Sequence, residues 1–553
     1  MTHDGGTPSA GTVTGDWWQS AVIYQVYPRS FADGNGDGVG DLAGLIARLP
    51  YIASLGVDGI WMTPFQPSPQ VDQGYDVSDY CGVDPLFGTM EQFDALLELA
   101  HELGLRVLLD VVPNHCSSAH PLFQQALAAG PGSPERDMFH FVEGRSSGPD
   151  SPSDLPPNNW QSVFGGRAWS RANPGSDTDT QWYLHLFSPG QPDWNWRNPA
   201  VGDYFEGVLR FWFDKGVDGL RIDVAHGLFK ADGLPDAPSA TAVVDGLRAN
   251  PLVSDQEDVH EVYRRWRTLA EKYQPHRLLV GEVNLEPARA ARYTRADEMH
   301  QAFAFAFVKL GWDPAAWAEV GAELEAARLL HGAAPSWALE NHDIVRSVTR
   351  FGGGTEDSGE QGTRRARAAL LALLGLPGAA YLYQGQELGL PEVDVPAEAR
   401  VDPMWARGGI TRDGARVPLP WTESAAANHG FSVGSGAPGQ PHKPWLPQPG
   451  GWGRYAVEIQ QLDPGSTLAL VTAAVGLRRQ LWEQGVFTAD DGGSWRVEDG
   501  NLLICERSQR FLVAVAMGTE AVRLPAGAVL ASAEPLDTNG WLQPDNAAWV
   551  LRD

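Results

Sequence analysis

The sequence predicts an α/β protein: a (β/α)8 TIM barrel with a subdomain inserted after the third strand and an all-β domain at the C-terminal end. Three observations support this fold class. Short apolar runs alternate with longer amphipathic runs along most of the 553 residues. Many of the short runs are continuously apolar, which is typical of parallel strands covered on both faces. Eight predicted strands alternate with seven predicted helices, and eight strand-helix units close a barrel.

The predicted elements follow one another in the order that a barrel requires. Continuous apolar centres such as Val107-Leu108-Leu109 mark the strands. The predicted strands cover residues 21–31, 59–65, 106–115, 219–225, 278–284, 299–309, 336–343 and 379–383. The predicted helices cover residues 41–56, 90–104, 201–215, 258–273, 314–330, 364–376 and 466–481.

Two stretches interrupt the barrel pattern. Residues 116–192 are rich in Pro, Gly, Ser and Asn and are too long for a simple loop, so we interpret them as an inserted domain B. A second Pro- and Gly-rich loop covers residues 385–448. The barrel then comprises residues 1–115 and 193–482. Residues 483–553 form a C-terminal β-sandwich domain with predicted strands at 502–505, 510–516 and 521–524.

Composition and charge exclude several classes of partner. The chain has 41 Lys and Arg against 69 Asp and Glu, a net charge of -28, which repels nucleic acid and anionic membranes. Three cysteines make no disulfide framework. Residues 1–16 are polar, and we expect neither a secretory signal nor a membrane span. These features predict a cytoplasmic protein, a monomer or a small homo-oligomer.

Three carboxylates follow buried strands: Asp223, Glu282 and Asp343. In a barrel, the carboxyl ends of the strands carry the active site. Arg221 lies two residues before Asp223, so both side chains point to the same face, and the guanidinium should lower the pKa of Asp223. Glu282 ends the next strand, about 4.8 Å away. Two carboxyls about 5–5.5 Å apart are the arrangement that retaining glycosidases use.

Four motifs resemble the α-amylase superfamily of retaining glycoside hydrolases, close to its α-glucosidase and oligo-1,6-glucosidase branch. They are Asp-Val-Val-Pro-Asn-His at 110–115, Gly-Leu-Arg-Ile-Asp-Val at 219–224, Gly-Glu-Val-Asn at 281–284 and Glu-Asn-His-Asp at 340–343. Gln-Pro-Asp-Trp-Asn-Trp at 191–196 also matches. The resemblance covers nearly the whole chain. It implies an exo-acting α-glucosidase that acts on short oligosaccharides or α-glucosides by double displacement.

The resemblance also implies a role for each matching residue. Asp223 is the expected nucleophile, Glu282 the expected acid and base, and Asp343 the expected ligand of the ring hydroxyls. Three further residues are expected to support the nucleophile or to bind the same sugar: Arg221, His115 and His342.

The resemblance implies a closed pocket for the terminal glucose. Tyr75 is the expected stacking platform. Asp72 is expected to grip the non-reducing end and to pair with Arg416, which closes the pocket. Three positions of the inserted domain are expected to line it: Phe164, Phe187 and Gln191.

Residues 33–41 alternate oxygen donors with glycines, a pattern that lets a tight loop wrap around a hard cation. The position where an EF-hand needs Glu is Gly44, so the loop is of another kind. We predict a structural Ca²⁺ site, with Mg²⁺ as the alternative, and no organic cofactor. Its ligands are the side chains of Asp33, Asn35, Asp37 and Asp41 and the carbonyl of Val39.

The linkage preference and two other functions stay open. Val224 follows the expected nucleophile, and in the branch resembled here Val at that position is associated with α-1,6 linkages. A single residue does not determine the linkage preference. An α-glucosyltransferase or a sucrose- or trehalose-type isomerase would use the same acids and favour transglycosylation. An inactive transporter-subunit relative would carry a membrane helix and lack the acids.

Overall fold

A computed structural model describes residues 17–148, 153–238, 250–353, 359–432 and 443–553. Eight parallel strands form its central sheet, which confirms the predicted fold class. They are β1 Val22–Val26, β2 Gly59–Met62, β3 Arg106–Val111, β4 Gly219–Ile222, β5 Leu278–Gly281, β6 Gln301–Ala302, β7 Ser336–Ala338 and β8 Ala379–Tyr383.

Hydrogen bonds join the strands in the order β7-β8-β1-β2-β3-β4-β5-β6. A parallel bridge between Phe303 and Ser336 links β6 back to β7 and closes the barrel. Alternate residues of each strand point to opposite faces. Trp61 and Tyr381, for example, belong to a small inner cluster, whereas Ile60 and Leu382 pack in the large outer core with the helices.

Helices cover the outside of the barrel and begin where the sequence supplies a cap. Asp41 accepts the Gly44 N–H at the start of helix Leu42–Ser54. Thr89 and Gln92 form a reciprocal capping box at the start of helix Met90–Glu102. The other longer helices are Pro121–Ala129, Pro199–Asp214, Val259–Ala270, Pro314–His331, Gly359–Gly375 and Thr467–Glu483. The short ones are Pro28–Phe31, Pro287–Ala290, Phe305–Val308, Ser347–Phe351, Pro403–Gly408 and Val457–Gln460.

The sixth strand is much shorter than predicted. Only Gln301–Ala302 is a strand, and helix Phe305–Val308 follows it within the predicted range 299–309. The first strand likewise stops at Val26, because Pro28 begins a short helix. Aromatic and apolar residues look alike in a short buried helix and in a buried strand, so periodicity did not separate them.

The region after β3 leaves the barrel pattern. It contains a three-stranded antiparallel sheet of Phe141–Glu143, Gln181–Leu184 and Trp169–Arg171, with the second of these in the middle. Helix Pro121–Ala129 precedes the sheet and was missed by the sequence analysis. The domain boundaries given above stay predictions.

The C-terminal part is an all-β sheet packed on the barrel helices. Its five-stranded antiparallel sheet has the order Ser494–Glu498, Leu502–Ser508, Phe511–Ala516, Asn546–Leu551 and Ala528–Ser532, and a second pair joins Val522–Arg523 to Trp541–Leu542. Trp549 donates to the carbonyl of Leu371, 2.8 Å away, which ties the sheet to a barrel helix. In the part of the chain that the structure describes, no helix is long and apolar enough to cross a membrane.

Candidate active site

The carboxyl ends of β3, β4 and β5 meet at one face of the barrel. Ile222 pairs with Gly281 in parallel register. Asp223 and Glu282 directly follow these two residues, so they emerge side by side from adjacent strands. The Asp223 N–H donates to Val111 and the Glu282 N–H donates to Ile222, both at 2.9 Å. Backbone hydrogen bonds therefore fix the start of each side chain.

One guanidinium joins three acids at this face. Arg221, whose side chain is 1% exposed, donates to Asp110 at 2.8 Å and to Asp223 and Glu282 at 2.6 Å each. The Val224 N–H also donates to Glu282, at 3.1 Å. We call Asp110, Arg221, Asp223 and Glu282 the Arg221 cluster. It carries three carboxyls against one fixed positive charge.

The charge imbalance of the Arg221 cluster changes how its acids titrate. Burial is the main cause that raises the pKa of Asp223, and the negative charges of Glu282 and Asp110 add to it, against the lowering effect of Arg221. Burial likewise raises the pKa of Asp110 to about 6. Arg221 lowers the pKa of Asp223 as expected, but burial and the two neighbouring carboxyls outweigh it, so the net shift is upward and not downward.

Asp343 has the opposite surroundings. It accepts from Arg416 at 2.7 Å and from Arg412 at 3.2 Å. Burial opposes its charge, but His342, Arg412 and Arg416 outweigh burial and hold the pKa of Asp343 well below its usual range. Asp343 is therefore ionised at neutral pH.

The structure corrects the expected partner of Asp72. Arg412, and not Arg416, donates to Asp72, at 2.8 Å. Arg416 is 1% exposed and donates to Gln73 and to the carbonyl of His342, both at 2.9 Å, as well as to Asp343. The sequence Arg-Asp-Gly-Ala-Arg offers two arginines four residues apart, and only the folded loop decides which one reaches Asp72.

Arg412 also pairs with Asp402 at 2.8 Å. We call Asp72, Asp343, Asp402, Arg412 and Arg416 the Arg412 cluster. It carries three carboxyls against two guanidinium groups. Burial raises the pKa of Asp72 to about 6, although Arg412 and Arg416 lower it.

A cavity of about 150 Å³ lies between the two clusters. This is small beside the ~300–1,000 Å³ of pockets for larger ligands, so it suits one ring-sized group. Its predicted members are Asp72, Tyr75, His115, Phe164, Phe187, Asp223, Glu282 and Asp343, together with Val224, which the sequence analysis related to linkage. The sequence analysis did not select its other members Val163, His226, Asn284 and Arg412. A ring bound here would face aromatic and carboxylate groups together.

Four predicted residues support the cavity without lining it: Gln191, Arg221, His342 and Arg416. Gln191 donates to Asp72 at 3.2 Å and lies 3.1 Å from His115 Nε2. His342 stacks on Tyr75, with ring centroids 5.2 Å apart, and its Nε2 atom is buried without a hydrogen-bond partner. Burial lowers the pKa of His342 to about 3 and that of His115 to about 4, so both rings are neutral at physiological pH.

The predicted metal loop is separate from the cavity. Asp33 accepts N–H groups of Gly36 and Gly38, and Asp37 accepts the N–H of Val39. Gly36 and Gly38 have positive φ values of 83° and 94°, which the tight turns require. Asn35 contacts Asp37, and Asp41 caps the next helix. Across the five described ranges, no group of three or more His, Cys, Asp or Glu side chains is arranged to hold a metal ion.

The geometry of two acid clusters around a sugar-sized cavity agrees with the comparisons to known proteins. The family model for the alpha-amylase catalytic domain matches residues 25–485. This chain belongs to the alpha-amylase family. A probable alpha-glucosidase of Rhizobium meliloti, strain 1021, is 39% identical over 496 residues, which cover 85% of this chain and 83% of that protein.

Other members of the alpha-amylase family give the same picture. An oligo-1,6-glucosidase of Parageobacillus thermoglucosidasius is 34% identical and covers 84% of each chain. The crystal structure of an alpha-glucosyl transfer enzyme, XgtA, superposes with a TM-score of 0.85 at 35% identity, over 97% of this chain and 99% of that one. A trehalulose synthase structure superposes with a TM-score of 0.84 at 28% identity, over 97% and 100%.

Proposed function

We propose that this protein is an exo-acting retaining α-glucosidase that releases α-glucose from the non-reducing end of short α-glucosides, with α-1,4 or α-1,6 linkages. The observation that carries the proposal is the Arg221 guanidinium shared by Asp223 and Glu282. Because these two carboxyls also emerge from adjacent strands in register, the shared guanidinium favours the separation of about 5–5.5 Å used in double displacement over the ~6.5–9.5 Å of inverting enzymes.

In the first step, a carboxylate oxygen of Asp223 attacks the anomeric carbon. The bond from that carbon to the leaving oxygen breaks, and Glu282 gives its proton to that oxygen. The product is a glucosyl ester of Asp223 with inverted configuration. The two Arg221 contacts support this step, because the guanidinium stabilises negative charge on both carboxyls.

In the second step, Glu282 takes a proton from water, and the water oxygen attacks the anomeric carbon. The ester bond to Asp223 breaks, and the second inversion gives α-glucose. Asp343 is ionised and held by two arginines, so it is suited to accept hydrogen bonds from hydroxyl groups of the same ring. The Nε2 atom of the buried His342 ring lies 3.4 Å from Asp343 Oδ2 without a hydrogen bond, so this ring borders the same carboxylate.

Arg412 supports exo action. It spans the closed end of the cavity, from Asp72 at 2.8 Å to Asp343 at 3.2 Å, and lies 5.2 Å from the centre of the Phe164 ring. Because Arg412 joins Asp72 to Asp343 across one side of the cavity, we expect a sugar chain to enter only by its end.

A second candidate function is α-glucosyl transfer. It is favoured by the likeness to solved structures whose names are an alpha-glucosyl transfer enzyme and a trehalulose synthase. The same glucosyl ester would form, and a hydroxyl group of an acceptor sugar or alcohol would replace water in the second step.

We also propose that residues 33–41 bind a structural Ca²⁺ ion. The donor set of three carboxylates, one amide and one carbonyl is the oxygen-rich kind that Ca²⁺ prefers. The carboxylates accept backbone N–H groups in the present structure, so binding would require some of them to turn.

The test uses the purified protein with maltose, isomaltose, sucrose, trehalose and p-nitrophenyl α-glucoside, with proton NMR of the fresh products. We expect α-glucose to appear first, and Asp223→Asn to lower kcat by three orders of magnitude or more, on the order found for other catalytic nucleophiles. Glucosylated products without free glucose would favour transfer. Initial β-glucose, or an active and folded Asp223→Asn variant, would contradict the proposed mechanism.

A further inference from the structure

The Asp402 side chain binds Arg412 and does not itself line the cavity. Its two oxygens accept from the Arg412 backbone N–H at 2.6 Å, from Nε at 2.9 Å and from Nη2 at 2.8 Å. The Asp402 side chain is fully buried and is absent from the cavity wall. One whole edge of the guanidinium is therefore fixed from the side that a sugar does not reach.

Asp402 is itself anchored without the help of Arg412. Its N–H donates to Asp413 at 3.3 Å, and its carboxylate accepts the Met404 N–H at 3.0 Å, which caps helix Pro403–Gly408. The same Asp413 oxygen accepts the Val401 N–H and the Thr411 hydroxyl. These contacts hold Asp402 in place independently of the Arg412 side chain.

We propose that Asp402 is a positioning residue for recognition of the terminal glucose, and that it acts only through Arg412. The inference rests on the proposed function, because it concerns the end of the pocket that selects the non-reducing sugar. Asp402 fixes the Nε–Nη2 edge, so that Nη2 can also donate to Asp72 while Nη1 donates to Asp343.

The other two partners of Arg412 cannot supply the same constraint. Asp72 and Asp343 both line the cavity, and the Asp343 side chain is 30% exposed. When a sugar binds, its hydroxyl groups compete for their oxygens. Asp402 meets no such competition, and a fully buried ion pair with two parallel hydrogen bonds is the stronger anchor.

The experiment is a double-mutant cycle on the full chain with Asp402→Asn and Arg412→Ala. The readouts are KM for p-nitrophenyl α-glucoside, kcat and the inhibition constant of glucose. We expect Asp402→Asn to raise KM and the glucose inhibition constant about tenfold each, with kcat within about threefold of wild type. The double variant should be no worse than Arg412→Ala alone, because both changes remove one interaction.

Asp394→Asn is the matched control. Asp394 belongs to the same loop and pairs with Arg400 at 2.8 Å, but its side chain is 64% exposed and lies outside the cavity. We expect it to leave all three readouts unchanged. If Asp402→Asn does not fold, Asp402→Glu keeps the charge and displaces it by one methylene, and the same rise in KM is expected on a smaller scale.

Three results would overturn the inference. They are a lower melting temperature of Asp402→Asn with unchanged KM, additive effects in the double variant, and an equal response to Asp394→Asn. A wild-type protein that hydrolyses no α-glucoside would instead refute the proposed function. An active wild type with additive variants would refute the inference alone.

Discussion

The two acid clusters on either side of the cavity differ in how many arginines balance their carboxyls. The Arg221 cluster has one guanidinium for Asp110, Asp223 and Glu282. The Arg412 cluster has two for three carboxyls. Each cluster contains one partly exposed carboxyl, Glu282 at 17% and Asp343 at 30%, so we attribute their different chemistry mainly to the difference in fixed positive charge.

The pKa shifts follow this difference in charge. Burial and neighbouring carboxylates raise the pKa of Asp223, and burial raises that of Asp110 to about 6. In the Arg412 cluster burial is outweighed at two of three acids, and the pKa values of Asp343 and Asp402 are lowered. Asp72 is the exception, because burial raises its pKa to about 6. Asp223 and Asp110 of the first cluster therefore take up protons more readily, whereas Asp343 and Asp402 of the second keep their charge, which suits Asp343 to bind hydroxyl groups.

The largest expected effect comes from breaking the Arg412 cluster. Arg412→Ala should raise KM and the inhibition constant of glucose about a hundredfold or more, because removal of one partner of a buried ion pair costs about 3–5 kcal/mol, and each 1.4 kcal/mol is about tenfold. The check is steady-state kinetics with circular dichroism to verify the fold. Unchanged KM would show that Arg412 does not close the pocket.

Arg416→Ala is the informative companion to that variant. Arg416 also donates to the backbone of His342 and to Gln73, and it is 1% exposed. We therefore expect it to lower the melting temperature as well as affinity, whereas Arg412→Ala acts mainly on affinity. Equal melting temperatures for the two variants would contradict this distinction.

The arginine assignment illustrates what the sequence could and could not predict. Asp223, Glu282 and Asp343 follow buried strands, and strand ends meet at one face of a barrel, so their grouping was predictable from local pattern. The choice between Arg412 and Arg416 depends on a loop of the range 385–448, whose path is set by contacts such as that of Asp402 with the Arg412 backbone. Such contacts have no periodicity in the sequence.

The same contrast appears in the fold. The long alternating strand-helix units were predictable because burial imposes a period on their residues. The two-residue strand Gln301–Ala302 and the helix Pro121–Ala129 were not, since each is short and is selected by the elements around it. The argument from the neighbouring Arg221 likewise missed the sign of the net pKa shift of Asp223, because it left burial out.

A smaller effect is expected on the pH profile of the Arg221 cluster. A group with a raised pKa keeps its proton below that pKa and loses it as the pH rises through it. Since Asp223 must be ionised to attack and its pKa is raised, kcat/KM should fall on the acid side, as the pH drops through the pKa of Asp223. Asp110→Asn removes one negative charge from the cluster, which should lower the pKa of Asp223 and move the acid limb about one unit toward lower pH.

Asp72→Asn serves as the control for the pH experiment, because Asp72 belongs to the Arg412 cluster. We expect it to raise KM while the acid limb stays in place. A shift of the limb in Asp72→Asn and none in Asp110→Asn would mean that the two clusters do not titrate as their charge balance requires.

The smallest effect is expected from removal of Ca²⁺, because the loop 33–41 belongs to neither cluster. Ligand at a hundredfold excess over its Kd stabilises the folded state by about 2.7 kcal/mol, so EDTA should lower the melting temperature by a few degrees. KM and the pH profile of the protein should stay unchanged. Asp37→Asn removes an exposed carboxylate of the loop and should abolish the response to added Ca²⁺. A melting temperature insensitive to both EDTA and Ca²⁺ would refute the metal site and leave the comparison of the two clusters intact.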